Sequence, residues 1–286
     1  MKIKKIFLFF IQIACLYSLS FAEPKKIDSR NYQQLTNFIQ ELSSDFYAKE
    51  IGKVVGKDSE GNYNYPIYKI TYTNSDFKKE NKNNKHYLFL CGMHGNEPAP
   101  VFAVKQIIQE INNGKIKIPN HVKIDFIYII NPYGFERNYR YNSKHFDANR
   151  DLLTQESQEI KILTQATSDK YDLVIDFHEA ACDGTFFYAY SQKGKKYSKE
   201  ILSYLESKNV KLENEYIDVI LRVKQGLLYS AFYAQWYMKL KNSCTTGMYY
   251  NDRKIPLVFT VETPKRAAFT ERCKTIQLIF EKVINP

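Results

Sequence analysis

The sequence lacks the features that would indicate a membrane-spanning protein, a repeat protein or a zinc-knuckle protein. Beyond its N-terminus, no apolar segment approaches the length needed to cross a bilayer. There is no internal repeat, and the five cysteines show neither a CxxC redox motif nor zinc-knuckle spacing. The lysines are scattered and form no dense cluster, so the formal charge of +10 does not by itself indicate nucleic-acid binding.

The N-terminus is predicted to be a secretory signal peptide that is cleaved after Ala22. Three early lysines precede an apolar stretch at 6–19, and small residues occupy the cleavage positions Ser20 and Ala22. An uncleaved anchor is the alternative. Cleavage would remove 22 of the 286 residues and leave one domain, residues 23–286, with a net charge of +7. We therefore expect a secreted or periplasmic protein with no membrane span after cleavage, and anionic cell-wall material as a better partner than nucleic acid.

The hydrophobic pattern predicts strands that alternate with helices. Strands rich in β-branched and aromatic residues are predicted at 67–73, 86–92, 122–130, 171–177 and 257–261. Helices are predicted at 98–111, 157–165, 198–207, 226–240 and 266–283. This alternation indicates an α/β fold with a mixed, mostly parallel central sheet flanked by helices.

Four polar residues directly follow or end apolar strands: His94, Asn131, His178 and Glu262. In open α/β sheets, ligands bind beyond the carboxyl ends of the strands. We therefore expect these four residues to lie at the rim of one active site.

His94 and Glu97 lie three residues apart across a turn opened by Gly95, and folding must bring in His178 from another strand. Two imidazoles and a carboxylate are the ligands of a catalytic zinc ion with one open coordination position. Cobalt, manganese and iron accept the same ligands. Taken singly, each histidine is equally explained as a packed core residue, and Glu97 as a charge in the first turn of a helix.

The alternation of side chains along a strand predicts the directions in which the neighbours of His178 point. Asp176 is expected to point away from the metal, and Glu179 is expected to support the ligands or to face solvent.

Glu262 is the predicted general base. It ends an apolar strand, where an unpaired carboxylate is costly, and beside a metal-bound water it would accept a proton and pass it to a leaving amine. The alternative is a structural ion pair with Lys265 or Arg266.

The segment 131–150 is rich in arginine and asparagine. Arg137, Arg140 and Arg150 lie within 14 residues. A guanidinium group binds a carboxylate through two parallel hydrogen bonds, and near a metal it stabilises a tetrahedral oxyanion. A basic surface loop, or stacking of arginine on Tyr139 and Tyr141, is the alternative.

These motifs resemble, in order, those of the zinc metallocarboxypeptidase family, whose superfamily includes the murein peptide amidases and the succinylglutamate desuccinylases and aspartoacylases. The motifs are His94-Gly95-Asn96-Glu97, Asn131-Pro132-x-Gly134, Arg140-x-Asn142, Asp147-x-Asn149-Arg150, Asp176-x-His178 and Thr260-Val261-Glu262. Two positions depart from the family pattern, because Tyr133 stands where an acid is usual and Ala148 where leucine is usual. The family's flexible-loop tyrosine has Tyr249 and Tyr250 as candidates.

The resemblance implies a role for each matching residue. His94, Glu97 and His178 would hold one Zn²⁺. Glu262 would be the base, and Arg140 would polarise the scissile carbonyl. Asn149 and Arg150 would bind the terminal carboxylate of the substrate.

The sequence therefore predicts an exported zinc metallopeptidase of carboxypeptidase type. It would hydrolyse a C-terminal peptide or amide bond of a substrate with a free carboxylate, such as a cell-wall stem peptide. The alternative is a zinc-dependent deacylase of N-acyl amino acids, similar to the desuccinylases and aspartoacylases. A third reading is a protein that binds wall peptides without cutting them.

Overall fold

A computed structural model describes residues 25–26, 28–78, 81–167, 170–217, 221–228 and 231–286. The predicted signal peptide lies outside these residues, so its cleavage remains a prediction. No helix among the described residues is both long and apolar enough to span a membrane.

The described strands make one mixed sheet. Their bounds are β1 Phe46–Asp58, β2 Gly61–Thr73, β3 Lys85–Cys91, β4 Val122–Tyr128, β5 Leu173–Ala180, β6 Phe186–Ala189, β7 Tyr216–Ile217, β8 Leu221–Lys224, β9 Leu227–Leu228 and β10 Leu257–Pro264. The strand order is β1-β2-β4-β3-β5-β10-β6-β9-β8-β7. The four central strands β4, β3, β5 and β10 run parallel to one another, whereas β1 to β2, β2 to β4 and β10 to β6 are antiparallel. The carboxyl ends of the central strands therefore meet at one edge.

Helices connect and cover the strands. Their bounds are α1 Tyr32–Thr36, α2 Pro98–Asn112, α3 Pro132–Glu136, α4 Gln158–Ala166, α5 Gln192–Ser207, α6 Ala231–Leu240, α7 Thr246–Asp252 and α8 Phe269–Ile284. Short 3₁₀ helices add Asp28–Arg30, Asn37–Glu41 and Ala148–Arg150. The prediction of a mixed α/β sheet flanked by helices is confirmed.

The five predicted strands are all present, but one predicted helix starts too early. The stretch 226–240 was predicted to be helical throughout, yet Leu227–Leu228 forms β9 and α6 begins only at Ala231. Leu227 and Leu228 pair with β6 on one side and β8 on the other, so sheet pairing determines their conformation in place of local helix propensity.

The two faces of β5 are covered by different helices. On one face, Phe177 stacks on Phe89, which also contacts Phe280 of α8, and α8 packs against α2. Because side chains alternate along a strand, Asp176 and His178 project to the opposite face, where α7 packs on β5 and β10. The parallel centre is therefore buried on both sides, as its continuous apolar strands predict.

A buried carboxylate joins β4 to three neighbouring segments. The side chain of Asp125 is fully buried, and its Oδ2 lies 2.9 Å from both Lys69 Nζ and His86 Nε2. Thr71 Oγ1 and the Tyr171 hydroxyl donate to it at 2.6 and 2.9 Å. Although burial opposes ionisation, His86, Lys69 and Thr71 hold the pKa of Asp125 well below its usual range.

Asp125→Asn is expected to destabilise the fold by about 3 kcal/mol at pH 7, because Lys69 keeps its charge and loses its buried partner. A depressed carboxyl pKa contributes stability above the pKa of the unfolded chain, about 4, so the difference from wild type should shrink as the pH falls below it. Urea unfolding at pH 7 and pH 3.5 measures both effects. The control is Asp252→Asn, which breaks the exposed pair with Lys239 and should cost less than about 1 kcal/mol. Equal losses in the two variants would contradict the prediction.

Candidate metal centre

The loop between β3 and α2 carries two of the predicted metal ligands, His94 and Glu97. Glu97 is the residue immediately before Pro98, which begins α2. Gly95 packs so tightly against the next loop that a Cβ there would lie 2.0 Å from the carbonyl carbon of Gly134. Arg30 also donates a 2.7 Å hydrogen bond to the Gly95 carbonyl. A glycine at position 95 is thus required for the two loops to meet, and this contact positions the ligands on either side of it.

His94, Glu97 and His178 converge on one point. Nδ1 of His94 lies 2.9 Å from Glu97 Oε1, and Nδ1 of His178 lies 2.9 Å from Glu97 Oε2. The two Nδ1 atoms are 3.1 Å apart, and all three side chains are buried. Among the described residues, this is the only group of three or more His, Cys, Asp or Glu side chains with this arrangement.

A carboxylate supports each histidine from behind. Asp147 Oδ1 lies 3.0 Å from Nε2 of His94, and Asp176 Oδ2 lies 2.8 Å from Nε2 of His178. The prediction that Asp176 points away was wrong. Residues 176 and 178 are two apart on β5, so they share a face, and it is residues 177 and 179 that face the other way.

The electrostatics of the cluster favour a cation. Although burial opposes ionisation, His94 and His178 hold the pKa of Glu97 well below its usual range. In the absence of a metal, burial lowers the pKa of His178, but Asp176 and Glu97 outweigh burial and raise the pKa well above its usual value. The negative potential that retains a proton on His178 equally attracts a divalent ion.

The donor set fits zinc. Both imidazoles present Nδ1 to the same point with Nε2 held by a carboxylate, which is the usual way that proteins orient a metal-binding histidine. His94, Glu97 and His178 would hold the ion and leave one position open. When bound, zinc would polarise a carbonyl oxygen and lower the pKa of a water molecule.

Asp176→Asn is expected to weaken zinc binding by about 10- to 100-fold, because the amide loses the charge that makes His178 a better ligand. Competition with a chromophoric chelator measures this change in Kd. The control is Asp183→Asn, because Asp183 pairs with the exposed Arg266 and contacts no ligand. Unchanged affinity in Asp176→Asn would contradict a supporting role for this carboxylate.

Arg140, Asn149 and Arg150 also lie at the cluster. Arg140 contacts Asp147 Oδ2 through Nη2 and Nε at 2.9 and 3.2 Å, and its Nη1 lies 3.6 Å from Glu97 Oε1. Asn149 Oδ1 accepts hydrogen bonds from the amide and hydroxyl of Thr246. Arg140, predicted to polarise the scissile carbonyl, and Asn149 and Arg150, predicted to bind the substrate carboxylate, all line the same cavity as His94 and Glu97.

The third arginine of the segment has a structural role instead. Arg137 is buried, and its Nη2 lies 2.7 Å from Asp58 and 3.3 Å from Glu60. Its guanidinium group stacks on Tyr133, with 4.0 Å to the ring centroid. Tyr133, which departs from the family pattern, is thus a packing partner of this arginine.

Glu262 stands next to His178 on the neighbouring strand. The two residues are paired in the parallel register of β10 and β5, so their side chains project to the same face. Burial raises the pKa of Glu262 to about 7, whereas the positive charge on His178 opposes the rise. A carboxylate with such a pKa suits proton transfer near neutral pH. The alternative pairing with Lys265 or Arg266 is not observed, since Lys265 approaches Glu97 and Arg266 binds Asp183.

Glu179 is buried and does not face solvent. Its Oε2 accepts the amide of Ala99 at 3.0 Å, and its other oxygen is bound by Arg272 of α8. Its own amide donates to Glu97 Oε2 at 3.2 Å. Glu179 therefore joins the metal loop to the helices on the far face of the sheet.

The cavity above the cluster has a volume of about 590 Å³. Among the described residues, the tyrosines that line it are Tyr188 and Tyr190. The two tyrosines predicted as candidates for the flexible-loop tyrosine, Tyr249 and Tyr250, do not line this cavity. Tyr250 is fully buried and its hydroxyl is hydrogen-bonded to Thr167, and the Tyr249 hydroxyl accepts a hydrogen bond from Arg253. Lys265 also lines the cavity. The sequence had suggested this lysine only as an ion-pair partner of Glu262.

Known proteins are similar to this chain in part of its sequence and in its fold. Residues 83–214 match the family model of the succinylglutamate desuccinylase/aspartoacylase catalytic domain, which covers the strands and loops of His94, Glu97 and His178. The match spans just under half of the chain and supports the resemblance to the metallocarboxypeptidase superfamily that the sequence motifs indicate. No curated protein matches the sequence.

Solved structures of two metallopeptidases and of a desuccinylase share the fold at low sequence identity. A provisionally assigned metallopeptidase from Shewanella denitrificans OS217 matches with a TM-score of 0.70 and 18% identity, over 94% of this chain and 98% of its own. A metallo-carboxypeptidase from Burkholderia cenocepacia matches with a TM-score of 0.65 and 13% identity, over 91% of this chain and 69% of its own. Succinylglutamate desuccinylase from Vibrio parahaemolyticus matches with a TM-score of 0.51 and 18% identity, over 82% of this chain and 77% of its own.

Proposed function

We propose that the protein is a zinc-dependent hydrolase of carboxypeptidase type that cleaves an amide bond next to a free carboxylate. The observation that carries the proposal is the convergence, in one cavity, of a His/Glu/His cluster with Glu262, Arg140, Asn149 and Arg150. The three metal ligands alone would only bind an ion. Hydrolysis of an amide also needs a general base and hydrogen-bond donors for the oxyanion and the substrate, which the carboxylate of Glu262, the two arginines and the Asn149 amide can supply.

Each residue has a distinct task in this reaction. Arg150 and Asn149 bind the carboxylate of the departing amino acid. Arg140 donates hydrogen bonds to the oxyanion that forms at the scissile carbonyl. Glu262 takes the proton of the attacking water and delivers it to the leaving nitrogen.

We further propose that the protein is exported and acts on cell-wall stem peptides. The support is the N-terminal sequence and the basic charge of the remaining chain. Incubation of the zinc-loaded protein with purified muropeptides, followed by mass spectrometry, tests this. Release of one amino acid or of a terminal peptide, absent in Glu262→Gln, is the expected result. Intact muropeptides would contradict the cell-wall substrate.

Deacylation of N-acyl amino acids is a second candidate, because the matching family model is that of a desuccinylase and aspartoacylase domain. It predicts hydrolysis of small acylated amino acids and no hydrolysis of peptides. A panel that contains both substrate types distinguishes the two candidates by initial rates with the same enzyme preparation.

A further inference from the structure

One helix of the cavity wall, α6, exposes an apolar stripe to solvent. Gln235 and Met238 line the cavity, and Met238 packs against the hydrophobic core. Trp236, Tyr237 and Leu240 are 58%, 41% and 61% exposed. Successive residues of an α-helix are rotated by about 100°, so the three exposed side chains form a stripe about 100° wide on the side opposite Gln235 and Met238. One side of α6 therefore faces the cavity and the other faces solvent.

Backbone hydrogen bonds fix the end of α6 to the segment that lines the cavity. The amide of Lys241 donates to the carbonyl of Tyr237 at 3.3 Å and so extends the helical hydrogen bonding by one residue. The amide of Cys244 donates to the carbonyl of Arg150 at 3.1 Å, and Arg150 lines the same cavity. The stripe is therefore held in a set position relative to the cavity.

Both edges of the stripe are positively charged. By the same helical rotation, Lys239 and Lys241 lie one on each side of it. Nζ of Lys239 is 2.8 Å from Asp252, the last residue of α7, and this contact brings α6 beside the end of α7. The segment 235–254 carries one acid and four cations, all of them exposed: Asp252, and Lys239, Lys241, Arg253 and Lys254. The segment therefore has a net charge of +3.

An apolar stripe between two rows of lysine has the composition of a helix that lies on an anionic bilayer. In such helices the apolar side is buried at the boundary between headgroups and acyl chains, where tryptophan and tyrosine are enriched. Lysine keeps its ammonium group at the phosphates while its methylene groups follow the apolar surface. Each cation near the membrane adds to the attraction of anionic lipids.

The small size of the stripe argues against a second copy of this chain as its partner. A stable protein interface takes roughly 20 to 30 residues from each side, and the stripe supplies three large apolar side chains. A bilayer sets no such minimum, because binding strength rises with each apolar group that is buried and with each cation at the surface.

We propose that the outer side of α6 docks on a bilayer that contains anionic lipids. Trp236 and Leu240 enter the boundary between headgroups and acyl chains, and Lys239 and Lys241 lie at the phosphates. Such docking is peripheral and needs no membrane-spanning helix. It holds α6 between the lipid and the cavity. The inference does not depend on the proposed function, because the stripe includes no metal ligand and no residue assigned to the reaction.

The fluorescence of Trp236 tests the proposal, because this is the one tryptophan of the chain and its emission reports on α6 alone. Residues 23–286, which include every described residue and lack the apolar stretch 6–19, are mixed with two kinds of vesicle. One contains equal parts of phosphatidylglycerol and phosphatidylcholine, and the other contains phosphatidylcholine alone. With the anionic vesicles, the emission should move to shorter wavelength and be quenched by brominated acyl chains. The Kd should be lower by about tenfold or more than with the neutral vesicles.

Two variants keep the tryptophan and remove one part of the surface each. Leu240→Ser removes an apolar group and Lys241→Gln removes a charge, and each should raise the Kd for anionic vesicles by about fivefold. The matched controls are Val55→Ser and Lys57→Gln, which change exposed residues of β1, at one edge of the sheet. Their Kd should equal that of wild type within about twofold.

Three results would overturn the proposal. An unchanged Trp236 spectrum would do so even if the protein sediments with the vesicles, because binding would then use another surface. Equal Kd values for the two kinds of vesicle, or equal losses in the variants and their controls, would remove the role of the lysines and the stripe. A spectral shift that depends on protein concentration without vesicles would show that a second copy of the chain covers α6.

Discussion

Glu262→Gln is expected to lower kcat by about 10²- to 10⁴-fold while the protein keeps its zinc. Glutamine preserves the size of the side chain but accepts no proton at neutral pH. Glu262 is not one of the three converging ligands, so the metal content should stay at one ion per chain. Initial rates together with metal analysis on the same sample measure both properties.

The control for this variant is Glu271→Gln, which changes an exposed glutamate in the first turn of α8. Its rate should equal that of wild type within about twofold. A nearly normal rate in Glu262→Gln would show that another group is the base, and loss of zinc would show that Glu262 is needed to build the metal centre.

His178→Ala is expected to abolish zinc binding and activity together. His178 supplies one of three ligands, and its loss also leaves the buried Asp176 without the imidazole that it pairs with. At micromolar zinc, metal analysis should find much less than one ion per chain. Thermal unfolding adds a second readout, because a ligand that binds only the folded state raises Tm, and added zinc should do so for wild type alone.

His121→Ala is the matched control, because this histidine is exposed and lies at the opposite end of β4. Zinc content, rate and the zinc-dependent rise in Tm should all match wild type. If His178→Ala retained a full zinc ion, the ligand set would be incorrect, whatever happened to the rate.

Part of the fold could be predicted because the central strands are buried on both faces. Their continuous apolar sequences stand out, as at β3 and β5. The edge strands could not be found in the same way. β1 is mostly exposed, and its residues show little alternation between apolar and polar types. Its pairing with β2 and its contact with α4 hold it in place, and neither is visible in a local window.

The metal ligands could be identified from the sequence because their spacing and their strand-end positions are local features. The supporting carboxylates were harder to place. Asp147 contacts His94 across 53 residues of chain. Asp176 lies only two residues from His178, and alternation along a strand places residues i and i+2 on the same face. The prediction treated the two residues as if they were adjacent and so placed Asp176 on the wrong face. The rule that led to the error, applied with the correct period, predicts the contact that the structure shows.

The sequence by itself determined the chemistry that is available: two imidazoles, several carboxylates and a set of arginines, each next to an element whose pattern is local. Only the tertiary structure decided which of these groups act together. It turned Arg137 inward to Asp58, brought Arg140 beside Glu97, and placed the ammonium group of Lys265 3.8 Å from a Glu97 oxygen. The physical reason is that a charged side chain pairs with whatever group the sheet order places beside it, and sheet order depends on contacts between residues far apart in the chain.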